Sequence, residues 1–258
     1  MSFIKTSCLS LFLLLFSAAP ALAHSLWLET AEAAPRPGKT LELDVGFNEG
    51  FEIVDILKQS VEMISAPLMI GKDGEFKFKL KAGEPNYAYV SEKPVPAGSY
   101  VAFADYKPFL MGHGDSPKNN YIMSAKHIFN VGAVANMGPS KEADLVTTPQ
   151  NKSKLEIVPL ANPASLKAGG SMSVQVLYDG KPLPRAELMG DFRGFNPAGS
   201  WGLAKAFYCK TDKNGKVDFL PTKGGLWILK VRHAIPNEDK TEAAETVYLS
   251  NVTFRVAD

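Results

Sequence analysis

The chain has 258 residues, with 28 Lys and Arg against 27 Asp and Glu. This balance gives no electrostatic reason to expect binding to nucleic acid or to an anionic membrane surface. After the first 23 residues no window reaches the roughly 18 apolar residues of a membrane-spanning helix, so we expect no direct membrane insertion.

The N-terminal segment, residues 1–23, has the pattern of a secretory signal peptide. Lys5 provides the positive charge, Leu9 to Phe16 is a short apolar run, and Ala21-Leu22-Ala23 is an A-x-A cleavage site. We expect this segment to be removed and the mature protein to be periplasmic. Cleavage there makes His24 the first residue, with a free α-amine beside its imidazole.

The mature chain would keep one cysteine, Cys209, because Cys8 is removed with the signal peptide. A single cysteine cannot form an internal disulfide, so stability must come from packed apolar cores. Removal of residues 1–23 from 258 leaves 235 residues. That length suits two ordinary domains or one large one.

Short alternating segments separated by Pro, Gly, Asn and Asp follow His24, and they predict half-buried strands. Helical patterns are weak, and the clearest lie at residues 52–59 and 140–144. The sequence therefore predicts an all-β protein. The predicted strands of the first half are Thr40–Phe47, Glu75–Ala82, Asn86–Glu92 and Ser99–Tyr106.

A polar stretch with a proline, Thr147–Lys154, is typical of a linker. We therefore predict a first β-sandwich domain at residues 24–151 and a second at residues 152–258. In the second, Asp179-Gly180 indicates a turn between strands, and Asn214-Gly215 indicates a hairpin. About 100 residues is the usual size of an immunoglobulin-like sandwich.

Several segments resemble the periplasmic nickel- and cobalt-uptake auxiliary proteins of the NikM/NikK type, long described as a domain of unknown function. The segments are AHSLWLE, PGKTLELDVGFNEGF, LEIVPLANPASLKAGG, VLYDGKPLPRAEL, KTDKNGKVDFLP, GLWILKVRH and VYLSNVTFRV. The resemblance implies an exported all-β protein with immunoglobulin-like or transthyretin-like sandwiches. It also implies an N-terminal histidine exposed by processing, and a membrane transporter component of the energy-coupling type as partner.

An N-terminal histidine can chelate a metal through its α-amine and Nδ1, and a third nitrogen completes a histidine brace. Both nitrogens must lose their protons. Their ordinary pKa values are about 7.7 to 8.0 and about 6.5, so metal binding should weaken below neutral pH. The other interpretation of His24 is a frayed terminus with no role.

The other histidines are His113, His127 and His233. His233 ends an apolar segment, where it is either a ligand held by a rigid strand or a solvated edge residue. His113 lies between two glycines and is either a loop ligand or an exposed turn residue. His127 lies within a strand, on the side of Phe129, and is interpreted as a hydrogen-bonded structural histidine.

Other possible donors have more ordinary explanations. Met111 and Met123 are soft donors, although methionine is more often a core filler. Cys209 is predicted to be buried and inert. The acids that could orient a histidine ring, or lie on a solvated face, are Glu29, Glu49, Glu52 and Asp115.

The sequence therefore predicts a periplasmic binding protein for nickel or cobalt, with copper possible, and not an enzyme. The metal ligands are His24 with His233 or His113. One alternative is a copper monooxygenase built on the same brace, with Trp27, Trp201 or Trp227 facing the substrate, although Trp27 and Trp227 lie in apolar alternating segments typical of a core. A second is a sandwich module that binds a protein or glycan and no metal.

Overall fold

A computed structural model of the protein describes residues 25–48, 51, 62–81, 88–112, 117–132, 145–150, 152–195 and 204–258. These residues form mainly β-strands in sandwich-like sheets, which confirms the all-β prediction. A short 3-10 helix spans Pro163–Ser165. The two predicted helical stretches, 52–59 and 140–144, lie outside the described residues. In the described part of the chain, no helix is long and apolar enough to cross a membrane.

The strands alternate buried and outward side chains where the sequence alternates apolar and polar residues. Those of the first half are β1 (Ser25–Thr30), β2 (Glu42–Asn48), β3 (Leu68–Gly71), β4 (Gly74–Leu80), β5 (Ala88–Ser91), β6 (Gly98–Met111) and β7 (Asn119–Val131). Those of the second half are β8 (Leu155–Pro159), β9 (Met172–Tyr178), β10 (Lys181–Pro182), β11 (Glu187–Phe192), β12 (Phe207–Lys210), β13 (Lys216–Phe219), β14 (Gly225–Pro236) and β15 (Glu245–Val256).

One long sheet joins strands from both halves of the chain. Its order is β1-β2-β5-β4-β3-β6-β7-β15-β14-β11-β12, and β7 pairs with β15 in parallel from Asn120–Thr246 to His127–Thr253. A smaller sheet contains β10, β9 and β13, with β8 also paired to β9. The sheet thus continues across the predicted domain boundary at residue 151, which itself lies outside the described residues.

Two apolar clusters cover opposite faces of β7 and β15. The face that β1 covers, which we call the front face, carries Ala125, His127, Asn251 and Thr253. The opposite face, the back face, packs on the smaller sheet. The front cluster includes Leu26, Leu28, Leu43, Val45, Tyr100, Ala102 and Phe129, and the back cluster includes Ile157, Val174, Val176, Phe219, Trp227, Val252 and Phe254.

The two predicted turns of the second half have different outcomes. Asp179 and Gly180, with φ of 51° and 71°, form the two-residue turn between β9 and β10, as predicted. Asn214-Gly215 also forms a turn, in which Asp212 accepts hydrogen bonds from two backbone N–H groups. The hairpin predicted there is wrong, because β12 pairs with β11 while β13 pairs with β9 in the other sheet.

Candidate functional site

The strand that follows the predicted cleavage site, β1, is held by three side chains of the front face. Asn251 Nδ2 donates to the Leu26 carbonyl at 2.8 Å, and Thr253 Oγ1 donates to the Leu28 carbonyl at 2.5 Å. The Thr30 N–H donates to His127 Nε2 at 3.2 Å. These bonds satisfy backbone groups on the edge of β1 that faces away from β2. The backbone of β1 is therefore held firmly from its first residue, Ser25.

His127 is a structural histidine, as predicted. Its ring is fully buried, stacks on Phe129 with centroids 4.9 Å apart, and bonds Thr253 Oγ1 through Nδ1 at 2.9 Å. Because the Thr253 hydroxyl donates to Leu28, it accepts from Nδ1, which leaves Nε2 to accept from Thr30. Burial lowers the pKa of His127 to about 3, against the hydrogen bond to Thr253, which raises it.

This depressed pKa predicts a loss of stability in acid. Above pH 6.5 the ring is neutral in both states, whereas between pH 6.5 and about 3 the unfolded chain binds a proton that the folded protein does not. The free energy of unfolding should then fall by about 1.4 kcal/mol per pH unit from this group. Urea unfolding at pH 7.5, 6, 5 and 4 measures the slope.

His127→Leu should remove that slope, because the neutral side chain cannot titrate. At pH 7.5 it should cost about 1 to 3 kcal/mol, since the Thr30 N–H loses its acceptor in a buried place. The matched control is His233→Leu, which changes a half-buried imidazole and should reduce the slope less. An acid slope that is unchanged by His127→Leu would contradict the assignment.

His233 lies on the back face, on the other side of the sheet from β1. It is opposite Tyr248 in β15, and its ring lies 4.8 Å from that of Tyr178 in β9. Burial, followed by the charge of Arg232, lowers the pKa of this histidine. The prediction that His233 ends its strand is wrong, because β14 continues to Pro236.

The other two predicted ligands, His24 and His113, lie outside the described residues, as do Glu49, Glu52, Asp115 and Trp201. Within the described ranges there is no group of three or more His, Cys, Asp or Glu side chains able to hold a metal. The predicted metal site therefore stays a prediction. The structure does describe β1, which follows His24, and β7, which follows the connection that contains His113.

The starts of β1 and β7 point the same way along the sheet but do not reach the same level. The Thr30 N–H bonds His127, and the Leu26 carbonyl bonds Asn251, which is opposite Ala125 in β7. Leu26 therefore lies level with a residue six positions after Asn119, the first residue of β7, which follows the connection from β6. That connection contains His113 in the sequence.

The remaining predicted donors are distributed as follows. Met123 is buried in the sheet, as expected of a core methionine, and Trp27 and Trp227 are buried at 1% and 0% exposure. Cys209 was predicted to be buried, which is wrong. It is half-buried on β12, the last strand of the long sheet, where one side is unpaired.

A polar cluster at the junction of the two halves was not predicted from the sequence. We define the junction cluster as Trp27, Glu29, Asp44, Arg193 and Arg255. Glu29 is 4% exposed and accepts a hydrogen bond from Arg193 at 2.5 Å, so a solvated position for Glu29 is wrong. Burial, then the charges of Glu29 and Glu42, raise the pKa of Asp44 to about 6. No local pattern marks a pair 164 residues apart in sequence.

A second buried ion pair joins the halves on the back face. Lys126 Nζ of β7 lies 3.0 Å from Glu156 Oε1 of β8, and both residues are 6% exposed. Glu156 Oε1 also accepts from the Gln150 N–H at 3.0 Å. Burial lowers the pKa of Lys126, and the charge of Glu156 opposes that change.

A family model described as a domain of unknown function (DUF4198) matches residues 21–235. No curated protein matches the sequence. Among solved structures, the D0-D1 domain of intimin is 14% identical, with 88% of this chain and 96% of that chain covered and a TM-score of 0.21. The fibronectin(III)-like modules of Clostridium thermocellum CbhA are 10% identical, with coverages of 89% and 94% and a TM-score of 0.23. Likenesses this weak carry no information about function.

Proposed function

Because the chain belongs to the DUF4198 family, a domain of unknown function, we propose a function from its own residues. The protein is an exported metal-binding protein of the periplasm that captures nickel or cobalt and delivers it to a membrane transporter of the energy-coupling type. Removal of residues 1–23 leaves His24 as the anchoring ligand, through its α-amine and imidazole. The histidine directly after an A-x-A site is the sequence basis of this proposal.

The observation that carries the proposal is the anchoring of β1. A chelate at a chain terminus has useful affinity only if little conformational freedom is lost when the metal binds. Three buried side-chain hydrogen bonds hold the strand that begins one residue after His24. This argues against the frayed-terminus interpretation, because the backbone at Ser25 is part of a packed sheet.

The described geometry argues against His233 as the additional ligand and leaves His113 as the candidate from the sequence. The imidazole of His233 packs against Tyr178 on the back face, on the other side of the sheet from β1. The copper monooxygenase gains no support from Trp27 or Trp227, whose rings are buried in cores and cannot face a substrate.

The test is a metal titration of the correctly processed protein. His24→Ala, and a protein with one glycine added before His24, should both weaken nickel and cobalt binding by about tenfold to a hundredfold or more. The added glycine keeps the imidazole and converts the amine into an amide, which is a poor metal donor. Copper is titrated in parallel because the intrinsic affinity order places it above nickel.

Single substitutions then identify the remaining ligand. His113→Ala should lower metal affinity with little change in the thermal transition of the metal-free protein, and His233→Ala should leave affinity unchanged. His127→Ala should lower the thermal transition of the metal-free protein, because its ring holds β1. Equal binding of all three metals to the native and extended termini would contradict the proposal and favour the protein- or glycan-binding module. Oxygen consumption by the copper form with a reductant would favour the monooxygenase.

A further inference from the structure

Three buried side-chain N–H groups in the described part of the chain have no hydrogen-bond partner: Trp27 Nε1, Arg193 Nε and Arg255 Nε. Leaving such a donor unsatisfied costs about 1 to 3 kcal/mol. Buried donors without acceptors are uncommon in native proteins, so each one needs an explanation. All three belong to the junction cluster.

Leu226 of β14 shows that the three donors lie close together. Arg255 is directly opposite Leu226 across the β14–β15 pair, and directly opposed residues share a face. The backbone N–H of Arg193 donates to the Leu226 carbonyl at 2.9 Å. Trp27 packs against Leu226 in a small apolar cluster with Phe51 and Ile228. The three residues therefore all lie next to Leu226, between the β1–β2 pair and the β14–β15 pair.

The cluster holds two guanidinium groups beside the carboxylates of Glu29 and Asp44. Arg193 pairs with Glu29 and lies 4.8 Å from the Phe51 ring, whereas Arg255 has no ion pair among the described residues, so an anion would pair with Arg255. Burial lowers the pKa of Arg255. The charge of Glu29 raises it, and the charge of Arg193 lowers it further. An additional negative group would relieve both the burial and the repulsion between the two cations.

We propose that the junction cluster binds an oxyanion, a carboxylate or phosphate group, with the indole N–H of Trp27 and the Nε–H groups of Arg193 and Arg255 as donors. Guanidinium groups recognise both anions through directional N–H bonds, and an indole is a donor only. The side chain of Arg193 is 34% exposed, so the ligand can enter from solvent. Trp27, which is 1% exposed, forms the closed end of the site.

The experiment titrates the metal-free protein with inorganic phosphate, acetate or sulfate at pH 7 and constant ionic strength, with sodium chloride as the reference. The nitrogen-15 spectrum should show a shift of the Trp27 indole signal, identified by its absence in Trp27→Phe. The Trp227 signal should stay in place, because its N–H already donates to the Lys223 carbonyl at 2.8 Å. The temperature of unfolding should rise with the bound anion.

Arg255→Gln should weaken the affinity by at least about tenfold, since it removes a charged donor. The unfolding temperature of the anion-free variant should be equal or higher, because a partly buried cation is gone. If Arg255 had only a structural role, the anion-free variant would unfold at a lower temperature. Arg232→Gln, which removes an exposed arginine of the neighbouring strand β14, is the matched control and should leave the affinity unchanged.

The outcomes separate the possible ligands. A response to acetate alone identifies a carboxylate site, and a response to phosphate or sulfate as well identifies a general oxyanion site. An effect that chloride reproduces, or one that Arg255→Gln leaves intact, would overturn the inference. If Arg255→Gln fails to fold, Trp27→Phe serves in its place: it keeps an aromatic side chain, removes the indole N–H, and must lower the affinity severalfold.

Discussion

Lys126→Met should lower the free energy of unfolding by about 3 to 5 kcal/mol, the usual cost of removing one partner of a buried ion pair. The Glu156 carboxylate, 6% exposed, would keep its burial and lose its nearest cation, 3.0 Å away. Urea unfolding at pH 7.5 measures the loss.

Two further variants separate the charge effect from packing. Lys81→Met breaks an exposed ion pair with Glu42, whose side chains are 39% and 33% exposed, and should cost less than about 1 kcal/mol. The double variant Lys126→Met, Glu156→Leu removes both buried charges and should recover most of the lost stability. If the double variant were as unstable as the sum of its two single variants, the pair would not be coupled as the structure requires.

Gly46→Ala should be about equally destabilising, by roughly 2 to 4 kcal/mol, because there is no space for a methyl group. A Cβ atom on Gly46 would lie 1.9 Å from the Trp27 ring. Trp27 cannot move aside, since it is 1% exposed and is wedged against Phe51, Leu226 and Ile228. Thermal and urea unfolding measure the loss.

Gly98→Ala, at the start of β6 in the same sheet, is the matched control. The nearest atom to its added Cβ would be 3.5 Å away, an ordinary contact, so the stability should change by less than about 1 kcal/mol. Replacing Trp27 with Leu should make room for the alanine, so the effects of Gly46→Ala and Trp27→Leu should be less than additive. Additive effects would show that the Trp27 ring does not restrict position 46.

Local patterns predicted much of the secondary structure. The alternation of Thr40–Phe47 foretold β2, with Leu43 and Val45 inside, and the strand position of His127 foretold a ring beside Phe129. These features depend on residues close in sequence, where the period of two decides which side chains are buried. For the same reason the turn at Asn214-Gly215 was predictable while its strand partners were not, because pairing depends on distant segments.

The candidate sites depend even more on distant contacts. The junction cluster brings residues 27, 44, 193 and 255 together, and nothing near any of them in sequence indicates the others. His233 was predicted to end its strand because the apolar run stops there. β14 nevertheless continues to Pro236, because the backbone hydrogen bonds of a strand do not require apolar side chains. The metal ligands His24 and His113 stay a prediction of the sequence.

The pairing of β7 with β15 has a consequence for the order in which the protein can fold. Asn120 pairs with Thr246, and Asn251 holds the Leu26 carbonyl across 225 residues. Such pairs close very long loops before they contribute any stability, which slows folding. β15 is also the last of the described strands in chain order. Without it, β7 exposes an unpaired edge, and β1 lacks two of the three side chains that bond its outer edge. The native sheet can therefore be completed only once β15 is available, and until then the protein depends on whatever keeps that edge from pairing with other chains.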